Sequence, residues 1–135
     1  INPDLVIVQA GTDCWEDDPQ SNMSLSNIEY WNTISKLKDI SFKTLILGGG
    51  GYNPYVTAKA WAGNWLVLNS KEKLLKTNLN EKCQSLLKSL PWKNSRVRNG
   101  IPKKWLENWL DDKTASFIRD EVKKVVNEIK KIKKL

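Results

Sequence analysis

Residues 44–54 read TLILGGGGYNP, an apolar run followed by four glycines, a tyrosine and a helix-start signal. Four consecutive glycines lose more backbone entropy on folding than almost any other short segment. We expect such a run where the backbone turns tightly or lies close to another group. Asn53 suits an N-cap, and Pro54 suits the first helical position, where a missing N–H is harmless. The stretch therefore predicts a strand, a tight corner that presents Tyr52, and a helix.

Two other segments predict a further strand and a further helix. Residues 5–8 read LVIV, a β-branched run that predicts a strand buried on both faces of a parallel sheet. Ser26 and Glu29 have the spacing of a capping box, in which the serine accepts from the N3 amide and the glutamate returns to the cap. The helix after Pro54 is expected to run to about Leu68. The side chains that the two helices are expected to bury are Tyr30, Trp31, Ile34 and Leu37 in the first and Val56, Trp61 and Trp65 in the second.

The order strand, loop, helix, repeated twice, predicts an open α/β sheet with right-handed crossovers. In such sheets the functional groups lie at the carboxyl ends of the strands, where Asp13 and Tyr52 are found. A carboxylate suits zinc or manganese, and a tyrosine hydroxyl can donate to a developing oxyanion. Two plainer roles stay open, a turn cap for Asp13 and a half-buried aromatic for Tyr52. The glycines at 48–51 fit neither the P-loop nor the dinucleotide pattern.

The amino-acid composition bounds what the chain can do. Its 135 residues are 40% hydrophobic and 27% charged, as expected for one globular domain. No apolar run approaches the roughly 18 residues that a membrane span needs, so no membrane partner is expected. The chain contains no histidine, the commonest metal ligand and general base. Cys14 and Cys83 form no metal or disulfide pattern, so a reducing cytoplasm is the expected location.

The net charge of +7 is unevenly distributed along the chain. Residues 1–69 hold 4 lysines against 7 acidic residues, which gives −3. Residues 70–135 hold 18 bases against 8 acids, which gives +10. This shift predicts an α/β core over 1–69 and a basic helical extension of the same domain over 70–135. Helices are expected over 79–90, over 105–110 and, with a stripe of valine and isoleucine, over 116–135.

Five segments of the first half carry a family resemblance. They are VQAGTD at 8–13, DP at 18–19, LSN at 25–27, LILGGGGYN at 45–53 and AKAWAG at 58–63. In order and spacing they resemble the histone deacetylase superfamily, and specifically its bacterial branch, the acetoin-utilisation-type deacetylases. Residues 105–122 resemble, more weakly, the C-terminal helical extension of that branch. The resemblance implies the C-terminal part of an α/β parallel-sheet fold of the arginase/deacetylase type.

The resemblance also implies roles for individual residues. Asp13 matches the aspartate that is the third ligand of the catalytic metal, usually zinc, with Fe²⁺ or another divalent metal as alternatives. Tyr52 matches the tyrosine that binds the substrate carbonyl and stabilises the oxyanion. Gly50 and Gly51 match the backbone that walls a narrow channel for the acyl chain. The implied substrate is acetylated lysine or a small acetyl amide.

The family site also needs an Asp-x-His pair of ligands and a histidine dyad, which this chain lacks. We therefore expect the chain to be the C-terminal third of a deacetylase, with the upstream part of the same protein as its partner, and to be inactive alone. A non-catalytic homologue is one alternative. A basic module that binds protein or nucleic acid is the other, through Trp92, Trp105 and Trp109. Nucleic acid is not the expected partner, because these tryptophans are expected to pack onto the sheet.

Overall fold

The computed structural model describes residues 3–20, 22–41, 43–111 and 118–132, and it confirms the predicted alternation of strands and helices. The strands and helices are β1 (Val6–Gln9), α1 (Asn27–Lys38), β2 (Thr44–Leu47), α2 (Pro54–Leu68), α3 (Glu81–Lys88), α4 (Lys103–Leu106) and α5 (Asp120–Ile132), with 3-10 helices over Glu72–Lys76 and Ser95–Val97. The strands β1 and β2 are parallel, with Val6 opposite Thr44 and Gln9 opposite Leu47.

The start of α1 differs from the predicted capping box. Ser26 is the N-cap, but its hydroxyl accepts from the Ile28 amide at 3.3 Å rather than from the N3 amide. The carboxylate of Glu29 makes no hydrogen bond within the described residues. Asp111 takes that role instead, since its oxygens accept from the Ser26 hydroxyl at 3.0 Å and from the Asn27 amide at 2.8 Å. A distant carboxylate therefore stabilises the positive end of the helix dipole.

The core lies on one face of the sheet, between the strands and the α1–α2 pair. Tyr30, Trp31 and Ile34 are buried as predicted, and Leu37 is half-buried. The Trp15 ring packs edge-on against those of Tyr30 and Trp31, with centroids 5.4 Å away in each case. A Cβ at Gly63 would overlap the Trp31 indole, so glycine lets α2 approach α1 closely.

The other face of the sheet is uncovered in this chain. The exposed fractions on this face are 48% for Leu5, 58% for Ile7, 47% for Leu45 and 44% for Leu47. The prediction that the first strand is buried on both faces is therefore wrong here. Two strands and two helices on one side cannot cover a second face. The apolar sequence of both strands is nevertheless typical of strands that are covered on both sides.

The prediction that α2 buries Trp61 and Trp65 is also wrong. They are 36% and 55% exposed, whereas Val56 is buried as predicted. The buried positions of α2 follow the spacing of 56, 60, 63 and 67, which places them on one stripe. Each tryptophan lies outside that stripe.

Residues 70–111 fold back onto α2. The ring of Trp105 stacks on Tyr55 at 5.8 Å, and the Tyr55 hydroxyl donates to the carbonyl of Leu90 at 3.3 Å. The helix expected over 79–90 is α3, while the one expected over 105–110 is α4, which begins earlier and ends at Leu106. The long final helix is α5, which has no buried residue; positions 116, 117 and 133–135 of the prediction lie outside the described residues.

None of the helices within the described residues is both long enough and apolar enough to span a bilayer.

Lys59 is a buried cation in α2. It is only 5% exposed, and its ammonium donates to the carbonyls of Lys104 at 2.9 Å and Asn108 at 3.1 Å. Burial lowers the pKa of Lys59 from 10.5 to about 8, although the nearby carboxylates of Asp17 and Asp111 act in the opposite direction.

Lys59 should make the stability of the fold depend on pH. Between about pH 8 and 10.5 the unfolded chain binds more protons at this lysine than the folded chain, so the free energy of unfolding rises with pH there. The total rise is about 3 kcal/mol, and below pH 8 the lysine is charged in both states and contributes no slope. Urea denaturation across this range should give a steeper rise for the chain than for Lys59→Met. Equal slopes of unfolding free energy against pH for the two proteins would contradict the lowered pKa of Lys59.

Candidate functional site

The two loops that follow the strands are joined by their backbones. The Ala10 amide donates to the carbonyl of Leu47 at 2.9 Å, which continues the strand pairing beyond β1. The Thr12 amide then donates to the carbonyl of Gly50 at 2.7 Å. These bonds bring Asp13 beside the glycine run, so the two strand-exit loops meet at one edge of the sheet.

The glycines are needed because other groups occupy the space where their side chains would lie. A Cβ on Gly50 would overlap the carboxylate of Asp13, and a Cβ on Gly51 would overlap the hydroxyl oxygen of Thr12. A Cβ on Gly49 would lie 2.8 Å from the Cα of Gly11. By contrast, a Cβ on Gly48 would meet only the Trp61 ring, at 3.7 Å. The run therefore permits a close approach between two loops at three of its four positions.

A buried aspartate fixes the backbone of Tyr52. Asp18 is 0% exposed, and one of its oxygens accepts from the Tyr52 amide at 2.7 Å. The other accepts from the Gln20 amide at 2.8 Å. Asp18 belongs to the Asp-Pro pair of the family resemblance, and its contact with the Tyr52 amide was not predicted from the sequence. The Asp-Pro dipeptide signals a turn, but it does not indicate which distant amide the carboxylate will accept from.

Asp13 and Tyr52 both have polar groups that remain available to a ligand. Asp13 is partly exposed, and its carboxylate accepts no hydrogen bond from the described residues. Tyr52 is 45% exposed, and its hydroxyl likewise has no hydrogen-bond partner among them. The turn-cap alternative for Asp13 thus loses its basis, because capping requires the carboxylate to accept a backbone amide.

The described residues supply only part of a metal site. Within them, no group of three or more histidine, cysteine, aspartate or glutamate side chains could hold an ion. Burial, followed by the negative charge of Asp13, raises the pKa of the Cys14 thiol, which donates to the Gly11 carbonyl at 3.6 Å. Both oxygens of Asp18 already accept amides. Asp13 therefore fits as one oxygen ligand, and a catalytic zinc needs about two more from elsewhere.

Comparison with known proteins connects this site to a family. The model of the histone deacetylase domain matches residues 1–68. Histone deacetylase 8 of Danio rerio and of Xenopus laevis are each 33% identical to this chain over 60 residues, which is 44% of the chain. The matched stretch spans 16% and 18% of those two relatives.

Solved structures give the same relationship. The crystal structure of an HDAC homolog from Aquifex aeolicus superposes with a TM-score of 0.76 at 30% sequence identity. The match covers 93% of this chain and 33% of the homologue, and an HDAC homolog complexed with SAHA matches with the same values. The α/β fold is therefore the deacetylase fold, of which this chain spans about a third. Membership of the acetoin-utilisation branch stays a prediction. The chain belongs to the histone deacetylase family.

Proposed function

We propose that this chain is the C-terminal part of a zinc-dependent deacetylase that hydrolyses acetyl amides such as acetyl-lysine. One observation carries the proposal. The Thr12–Gly50 hydrogen bond holds the available carboxylate of Asp13 against the glycine backbone that leads directly to Tyr52. A metal ligand and an oxyanion donor on adjoining loops are what amide hydrolysis requires.

Each residue of the site has a distinct part in the proposal. Asp13 is one ligand of the metal, for which zinc is the first candidate and Fe²⁺ or another divalent ion the alternative. A bound metal of this kind polarises a carbonyl and lowers the pKa of a water. Tyr52 donates its hydroxyl hydrogen to the amide oxygen as negative charge develops there. Gly50 and Gly51 would supply bare backbone to the wall of the acyl channel, because Asp13 and Thr12 already fill the positions where their Cβ atoms would lie.

The remaining ligands and the acid–base groups are assigned to the upstream part of the same protein. The chain has no histidine, and its described residues offer one ligand, so alone it is expected to be inactive. The uncovered sheet face supports this assignment, because Leu5, Ile7, Leu45 and Leu47 form an apolar surface that further strands and helices would cover. The match to only 33% of the solved homologue is consistent with it.

The other readings receive less support. Trp105 is buried against Tyr55, and both Trp92 and Trp109 are partly buried against the core, which leaves less of the three rings available for stacking on bases. A non-catalytic homologue would have no acetate-releasing activity that depends on the Tyr52 hydroxyl. The cytoplasm stays the proposed location, because both Cys14 and Cys83 are free.

Replacing the hydroxyl of Tyr52 should slow catalysis without weakening binding. In the protein that joins this chain to its upstream part, Tyr52→Phe is expected to lower kcat by about 10²–10³-fold, since the oxyanion loses a donor. KM should change little, and release of acetate from an acetyl-lysine peptide measures both. Tyr55→Phe is the matched control, because that hydroxyl bonds the Leu90 carbonyl in the core. Equal rates for Tyr52→Phe and the unmodified protein would refute the role.

The glycine run offers a test with a built-in control. Gly50→Ala puts a Cβ onto the Asp13 carboxylate and should displace it, reducing the bound zinc per molecule and lowering kcat/KM by about tenfold or more. Gly48→Ala adds the same methyl group where only Trp61 is near, at 3.7 Å, and should leave both quantities within about twofold. Metal analysis of the purified proteins and the acetate assay measure the difference. Similar behaviour of the two variants would argue against a site at Asp13.

The sheet face can be tested through stability. Ile7 is 58% exposed in this chain, so Ile7→Asp would be tolerated if the face stayed open. If the upstream part covers it, the substitution buries a charge and should cost about 3 kcal/mol of unfolding free energy in the joined protein. Leu86→Asp, at a position 66% exposed on α3, should cost no more than about 0.5 kcal/mol. Equal, small effects in urea denaturation would mean that the face is not covered.

A further inference from the structure

Asp17 lies where the second half of the chain meets the loop that bears Asp13. Its carboxylate pairs with the ammonium of Lys104, with Oδ1 and Nζ 2.6 Å apart. Its backbone carbonyl accepts from the side-chain amide of Asn53 at 3.0 Å and from the Arg96 guanidinium at 3.3 Å. The side chain of Asp17 is 17% exposed and that of Lys104 is 43% exposed. The pair is therefore the outer part of a more buried network.

Asp17 and Asp18 together hold Tyr52 and Asn53 through two hydrogen bonds. The Asp17 carbonyl accepts from the Asn53 side chain, and the Asp18 carboxylate accepts from the Tyr52 amide at 2.7 Å. Asp18 and Asn53 are both 0% exposed, so these bonds are shielded from water. A shift of residue 17 would thus reach the backbone of Tyr52 through these two bonds.

The backbone of Lys104 is held in place by contacts with the core. Its carbonyl accepts from the buried ammonium of Lys59 at 2.9 Å. The next residue, Trp105, is buried and stacked on Tyr55. The ammonium of Lys104 therefore projects from a fixed backbone toward Asp17, and long side chains lose less entropy when their base is already ordered.

We propose that Lys104 is a positioning residue for Tyr52, acting through Asp17 and the bonds from Asp17 and Asp18. The inference rests on the proposed catalytic role of Tyr52, but the claim that Lys104 fixes the backbone of Tyr52 does not depend on that role. Exposed ion pairs contribute little to global stability, whereas a displacement of about 1 Å at a reacting group costs about 10²-fold in rate. The expected signature is a change at Tyr52 with little change in melting temperature.

The first measurement does not depend on catalysis. In the joined protein, Lys104→Met should speed hydrogen exchange of the Tyr52 amide, which Asp18 protects, by about tenfold, with a Tm shift below about 4 °C. Lys104→Arg keeps the charge and should restore slow exchange. Lys123→Met removes an ion pair of similar length, 2.9 Å, on α5 and should leave the Tyr52 amide unchanged. Unchanged exchange in Lys104→Met would overturn the proposal.

The second measurement is kinetic. Lys104→Met should lower kcat by about tenfold with KM within about twofold, and should have little further effect when combined with Tyr52→Phe. If Tyr52→Phe lowers kcat and Lys104→Met does not, the positioning role fails while the proposed function stands. If Tyr52→Phe has no effect, the proposed function fails and the exchange result still decides the geometry. Should Lys104→Met not fold, Asp17→Asn removes the same ion pair and keeps the Asp17 carbonyl, with the same expected outcomes.

Discussion

The hydrogen bond from the Thr12 amide to the Gly50 carbonyl is the contact on which the site depends. It is 2.7 Å long and joins two loops that are 38 residues apart in sequence. The Thr12 side chain reinforces it by lying 3.1 Å from the Thr57 hydroxyl on α2. Because both partners are backbone groups, the bond demands that the loops approach more closely than side chains on Gly50 or Gly51 would permit. The entropy lost by Gly49, Gly50 and Gly51 is thus the condition for placing a carboxylate beside the tyrosine corner.

Local signals were sufficient to predict the elements next to this contact. Asn53 caps α2 through its side chain, which accepts from the Tyr55 amide, and Pro54 is the first helical residue, both as the sequence indicated. The second strand and the end of α2 at Leu68 also agree with the prediction. Each of these features depends on residues within a few positions of one another, where turn and cap chemistry act directly.

The features that sequence reasoning missed all depend on distant partners. Asp111 replaces Glu29 at the start of α1, from 84 residues away, because a carboxylate fixed by tertiary packing can accept two donors at once. Asp18 reaches the Tyr52 amide across 34 residues. The exposure of Trp61 and Trp65 likewise depends on which α2 stripe meets α1. Periodicity alone does not distinguish two neighbouring stripes of aromatic and small residues.

The change of charge at residue 69 does not separate the chain into independent parts. Polar contacts cross it in both directions: Lys104 pairs with Asp17, Lys38 pairs with Glu72, and Asp111 caps α1. The buried ammonium of Lys59 is the strongest of these constraints, since a desolvated cation must keep its two carbonyl partners, which α4 and the following turn supply. Residues 70–111 therefore pack against the α/β core, and their ten bases against four acids give them +6 of the +10 in the second half. That arrangement explains why loss of a cation in the second half is expected to reach the Tyr52 corner of the first.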